Sequence, residues 1–303
     1  MKKLLLASTA LVLSAGLAHS QALNITGYGR MGILYNESGA WFGSNYAQEN
    51  RLQFNFNVAV EGDHGLTFGA YSRARIVNGS TGVFSGSRVW VEASGLRLTF
   101  GNQDGAIQTA GLVGALAMGY TGGTFQGGAA GMWWWTQAFS STGAGMPSRA
   151  SVSYTMGDVT AMLSYDRAGT YGAGTAALTE FGINGTFGAF SVAAGYASSV
   201  AAIANSRVVT VSGAYNGGSW TAGLVVADLE HLGTNWSLTG TVQVGGGTAR
   251  AYVGRYIDGV AATSDDTWGL AYHYGLGGGA SVAAAIETTN DNTTGSVGVV
   301  FNF

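Results

Sequence analysis

Residues 50–61 read NRLQFNFNVAVE, and their alternation decides the fold class. Leu52, Phe54, Phe56, Val58 and Val60 fall on one side of an extended chain, with Arg51, Gln53, Asn55, Asn57, Ala59 and Glu61 on the other. A period of two held over a whole segment specifies a β-strand with one apolar and one polar face. After Gly62-Asp63-His64-Gly65, residues 66–77 repeat the pattern, with Leu66, Phe68, Ala70, Ala74 and Ile76 opposite Thr67, Tyr71, Arg73 and Arg75. Two alternating runs joined by a glycine-bearing turn make a hairpin.

The same alternation recurs to the end of the chain. Leu96, Leu98 and Phe100 oppose Arg97 and Thr99; Trp236, Leu238, Val242 and Val244 oppose Ser237, Thr239, Thr241 and Gln243; Val297, Val299, Phe301 and Phe303 oppose Ser296, Gly298 and Asn302. The pattern predicts sixteen strands, at 24–35, 50–61, 66–77, 83–93, 96–102, 149–156, 159–167, 177–185, 189–198, 206–215, 219–228, 235–244, 248–257, 267–275, 280–288 and 295–303. Short glycine-rich turns at 62–65, 94–95, 157–158, 216–218, 245–247 and 275–279 alternate with longer polar connections at 36–49, 167–176, 258–266 and 289–294. Short turns on one rim and long loops on the other are the layout of an up-and-down transmembrane barrel.

Composition supports this reading. The chain has 303 residues with 51 Gly, one Pro, no Cys and only 10% charged residues, where soluble proteins average ~25% charged and ~7% Gly. A hydrophobic share of 47% excludes a disordered chain, and glycines without a three-residue period exclude collagen. The lack of cysteine removes thiolate catalysis, CxxC redox chemistry, disulfides and cysteine-based zinc sites. A net charge of −3 selects no class of partner.

Lys2 and Lys3, an apolar stretch from Leu4 to Ala18, and small residues in Ala18-His19-Ser20 or Ser20-Gln21-Ala22 predict a secretory leader over 1–22 and a barrel over 23–303. The apolar stretch falls short of the ~20 residues a helical span needs. No later run is long and apolar enough for such a span. Lys2 and Lys3 are the only lysines, so the remainder carries 11 Arg against 16 acids, a net of −5.

A soluble sandwich or β-solenoid would also alternate, but its water-facing side should be rich in Lys and Glu. Here the polar side is small, hydroxylated or arginine-bearing, which fits a water-filled lumen. Trp220, Tyr215, Trp236, Tyr256, Trp268, Tyr274, Phe301 and Phe303 stand at strand ends, where interfacial girdles need aromatics, although β-propensity alone accounts for part of this.

Ile25-Thr26-Gly27-Tyr28-Gly29-Arg30-Met31-Gly32, the Arg51-Leu52-Gln53-Phe54 strand, the Arg73 and Arg75 pair, and the terminal Phe303 resemble Gram-negative general diffusion porins, and most of all their alphaproteobacterial, Rhodobacter-type branch. The resemblance covers the whole chain after the leader, and the ensemble rather than any single motif carries it. It implies a sixteen-stranded outer-membrane barrel, usually a homotrimer set among outer-membrane lipid and lipopolysaccharide. The resemblance further implies that the third external loop folds into the lumen and that the terminal aromatic, Phe303, is read by the barrel-assembly machinery.

The connection at about 102–148 matches that loop in position. It is too long for an ordinary turn, and Gly111–Met118 and Gly131–Trp135 are too apolar for a solvated tether. It is expected to pack on the wall or on a neighbouring subunit; insertion of Trp133-Trp134-Trp135 into membrane is the rival reading. Parity places Arg30, Arg51, Arg73, Arg75, Arg88 and Arg97 on the lumen side, making one wall basic. The resemblance implies that loop acids face such a wall, yet Asp104 is the only acid between Asn102 and Arg149. Constriction and selectivity are therefore assigned to Arg30, Arg51, Arg73, Arg75, Arg88 and Asp104, with a weaker or displaced transverse field. Asp104 serves equally well as a turn residue in Gln103-Asp104-Gly105. The tight Ser94-Gly95 turn brings Arg97 opposite Glu92, which favours a local ion pair there.

An enzyme would need a nucleophile, a base and an orienting group. His64, His231 and His273 carry no such context, and neither GxSxG nor HExxH occurs. Asp228/Glu230 and Asp265/Asp266 offer external sites for a divalent cation, though solvated acids are the commoner reading. The expected function is passive diffusion of ions and small hydrophilic solutes without a cofactor. The alternatives are a solute-specific channel, or a barrel with an adhesive or lipid-modifying role.

Overall fold

The computed structural model describes residues 22–39, 44–78, 82–121, 149–167, 177–199, 207–231, 233–257, 264–289 and 291–303. The leader assignment lies outside these residues except for Ala22, which opens the first strand. The tryptophan triplet at 133–135 also lies outside them.

The strands are β1 Ala22–Asn36, β2 Tyr46–Glu61, β3 Thr67–Val77, β4 in two pieces (Val83–Phe84 and Arg88–Ala93), β5 Leu96–Gly101, β6 Arg149–Met156, β7 Val159–Asp166 and β8 Leu178–Phe187. They continue with β9 Phe190–Ala197, β10 Val208–Asn216, β11 Trp220–Leu229, β12 Gly233–Val244, β13 Gly247–Ile257, β14 Ser264–Gly277, β15 Ala280–Thr289 and β16 Asn292–Asn302. Each strand pairs antiparallel with the next, and β1 also pairs with β16, closing the sixteen-stranded barrel. Gly27 and Phe303 complete the seam by exchanging backbone bonds of 2.8 and 3.0 Å. Closure pairs the backbone groups that hydrocarbon would otherwise leave unsatisfied.

The barrel is apolar outside and polar inside. Leu23, Met31, Phe68, Leu98, Leu238 and Leu270 are exposed, while Thr210, Ser212, Ser237, Thr239 and Thr267 are buried. A water-soluble fold has the reverse arrangement. At the short-turn rim, Phe190, Tyr215 and Trp220 lie side by side with ring centroids 4.8 and 5.2 Å apart. Ser94 and Gly95 both take positive φ, 48° and 80°, as the tightest hairpin turns require.

The fourth strand differs from expectation. Alternation predicts one run at 83–93, but Ser85–Ser87 interrupts the ladder. Val83 pairs with Arg75 and Phe84 with Ala74, whereas Arg88 pairs with Tyr71, so β4 carries one residue more than β3 across this stretch. The bulge resets the parity: Phe84 faces outward before it and Val89 after it.

Candidate functional site

The described part of the connection after β5, residues 102–121, runs round the inside of the wall. Gly101, at φ 120°, turns the chain inward, and residues 106–110 form one short helix, α1 (Ala106–Ala110). Gln103 fastens its start: its side chain donates to the carbonyls of Thr99 and Arg149 at 3.1 Å and accepts from Ser151 at 2.8 Å. Arg149 is itself buried and ion-paired to Asp166 at 2.7 Å.

The wall then supplies side-chain partners in strand order. The amides of Ala106 and Ile107 donate to Ser164 of β7 and Glu180 of β8, both at 3.0 Å. Val113 donates to Ser212 of β10 at 2.8 Å, and Thr239 of β12 and Arg250 of β13 donate to the carbonyls of Gly114 and Ala117 at 2.7 Å. His273 of β14 bonds the Met118 carbonyl, and Arg30 of β1 donates to that of Thr121 at 2.5 Å.

Wall glycines make the close fit possible. A Cβ on Gly182 would stand 2.2 Å from the Ala106 carbonyl oxygen, and one on Gly223 would stand 2.9 Å from that of Gly114. Loop apolar groups fill what remains: Ile107 packs with Leu178, Ala197 and Val208, Met118 with Tyr252 and Ala271, and Tyr120 with Leu34 and Ala283. Burial, and next the nearby Glu49 charge, push the Tyr120 phenol up, so it stays protonated.

Five of the eleven arginines, Arg30, Arg51, Arg73, Arg75 and Arg88, lie on the adjacent strands β1 to β4. Arg30 faces Arg51 directly in the ladder, and Glu49 meets both: it pairs with Arg30 at 2.7 Å and lies 3.5 Å from Arg51. Arg75 Nε donates to Gln53 Oε1 at 2.8 Å, and the Arg88 guanidinium sits 4.2 Å from the Tyr71 ring centroid. Asp104 lies within electrostatic reach of Arg88.

The model of the Gram-negative porin family matches residues 7–294. The chain belongs to the Gram-negative porin family. A curated porin of Fuscovulum blasticum is 28% identical over 293 residues, covering 93% of this chain and all of that one. Two solved structures of substituted Rhodopseudomonas blastica porins each superpose with a TM-score of 0.80 at 26% and 27% identity, again over 93% of this chain and all of theirs. This porin is a multi-pass β-barrel of the outer membrane and a diffusion channel.

The porin brings most of the assigned site residues to one wall, but Arg30 departs from its assignment. It is 5% exposed, paired to Glu49 and bonded to the loop, so it is an anchor and not an open lumen charge. Arg51, Arg73, Arg75, Arg88 and Asp104 are half-buried, between wall and lumen. Arg97 pairs with Glu92, as the turn geometry requires. Of the acids read as external cation sites, Asp228 lies near the end of β11 and accepts from Thr234 of β12 at 3.2 Å, and Glu230 lies 3.8 Å from Arg207. Among the described residues no group of three or more His, Asp or Glu is placed to hold a metal.

The sequence predicts Glu49 at the end of a polar connection, but it belongs to β2. The sequence held a signal for it: like charges directly opposite on adjacent strands are unfavourable, and Glu49 shares the face of Arg51 two positions away. Gln53 and Tyr71, also missed, are the neutral partners of Arg75 and Arg88.

Proposed function

We propose that small hydrophilic solutes cross this porin by unassisted diffusion, through a passage bounded by the inward loop on one side and β2–β4 on the other. Arg51, Arg73, Arg75 and Arg88 set the charge of that passage, with Asp104 as the loop's counter-charge. The observation that carries the reading is the chain of wall bonds from Ala106 to Thr121. Among the described residues it lays a layer of peptide inside β7–β14 and ends on Arg30 of β1, with Arg51, Arg73, Arg75 and Arg88 on β2–β4 beyond it. Transport down a gradient needs a bore and a fixed field, and neither catalysis nor a cofactor.

The working unit is a homotrimer set among outer-membrane lipid and lipopolysaccharide. Phe303 presents the exposed ring that the barrel-assembly machinery reads. That ring lies against Gly27, where a Cβ would approach to 2.7 Å, and 5.6 Å from the Phe54 ring. Recording from purified protein in a planar bilayer tests the central reading: conductance should be ohmic and rise with salt concentration. Saturation of the flux by a single solute would replace free diffusion with a solute-specific channel.

A further inference from the structure

The acids buried in the inner wall are withdrawn from the water path. Glu49 is 6% exposed and held by Arg30; Asp166 and Glu180 are fully buried, the first on Arg149 and the second beneath the Ile107 amide; Glu287 is 3% exposed. The loop contributes no acid besides Asp104.

The arginines across the passage are held differently. Gln53, itself buried, accepts from Arg75 and from the Tyr28 hydroxyl, and its amide donates to Asn55 Oδ1 at 2.8 Å. Asn55 in turn accepts from Tyr71 at 3.1 Å, and the Tyr71 ring carries Arg88. Tyr28, Gln53, Asn55 and Tyr71 thus form a neutral hydrogen-bonded network under two guanidinium groups. It fixes their direction without cancelling their charge, whereas a carboxylate in the place of Gln53 would do both.

Resting on the pore reading above, we propose that this porin is anion-selective: the wall built by Arg75 and Arg88 on the Gln53–Asn55–Tyr71 network draws small anions, such as chloride, phosphate and carboxylates, in preference to cations. Gln53 is a positioning residue for that selectivity. Acids on the rims, such as Asp63, Asp158 and Glu230, are screened beyond about 8 Å at physiological salt, so the charge nearest the narrow section decides. In water a unit charge about 8 Å away changes an ion's local concentration by about 1.5- to 2-fold. A few such charges give a chloride-to-potassium permeability ratio on the order of three.

Reversal potentials across a potassium chloride gradient test this in the wild type, Gln53→Glu and Arg75→Gln. The wild type should favour chloride. Gln53→Glu, nearly the same size, should lower the ratio by about twofold with single-channel conductance little changed, and Arg75→Gln should lower it similarly. A conducting wild type that prefers potassium overturns the proposal while leaving the channel reading intact. So does a Gln53→Glu channel with the wild-type ratio, since a residue that merely packs the wall would leave the potential unmoved. Absence of conductance in the wild type would instead overturn the channel reading on which the proposal rests.

Discussion

The wall from β7 to β15 and the wall from β2 to β4 share one alternation but put it to different uses. The first turns many serines, threonines and glycines inward, with Glu180, Arg250 and His273 among them, to seat a peptide: Ser164, Ser212 and Thr239 bond the loop backbone while Gly182 and Gly223 admit it. The second turns arginines inward over Gln53, Asn55 and Tyr71, side chains that orient a charge. Backbone pattern alone makes the barrel; the choice of inward residue decides whether a wall receives a loop or meets the solute.

The comparison breaks most readily at its junction, Arg30. Arg30→Ala leaves Glu49 buried without its main partner, and removing one member of a buried pair costs about 3–5 kcal/mol. Denaturant unfolding should show that loss, and bilayer traces should become noisier as Thr121 is released. Within the loop-seating wall, Gly182→Val forces a side chain against Ala106, which should cost about 1–3 kcal/mol and change single-channel conductance because the loop must shift. On the charged wall, Arg88→Ala removes the contact with Tyr71, a loss of about 0.5–1 kcal/mol. It should change the reversal potential far more than the melting temperature. Arg97→Ala marks the lower bound: its pair with Glu92 is 46% and 38% exposed, so stability should fall by about 0–1 kcal/mol and selectivity should hold.

Strand positions were legible where a turn residue marks the edge. The sixth strand ends at Met156, as predicted, because Gly157-Asp158 admits no continuation. The fourth was misread because a bulge leaves no mark in composition: Val83 to Ala93 looks continuous until the pairing partners of Phe84 and Arg88 are compared. Lumen charges were legible by parity, which sorts faces but not neighbours. Parity therefore placed Arg30 correctly on the inner face and could not reveal that Glu49 and Thr121 would enclose it. Nor could it assign Arg250 and His273 to holding the loop, since their partners are backbone carbonyls that any residue supplies.

The seam between Gly27 and Phe303 bears on how the molecule is made. Until β16 reaches β1, every partly formed sheet has two open edges, each a row of unpaired donors and acceptors ready to join another chain. The closing contact spans nearly the whole described chain, the most remote pairing in sequence and hence the slowest kind to form. Closure removes both edges together, so a barrel lacking either β1 or β16 would keep two open ladders. Any factor that escorts the chain to the membrane must hold it open to the end, then let both edges meet at once.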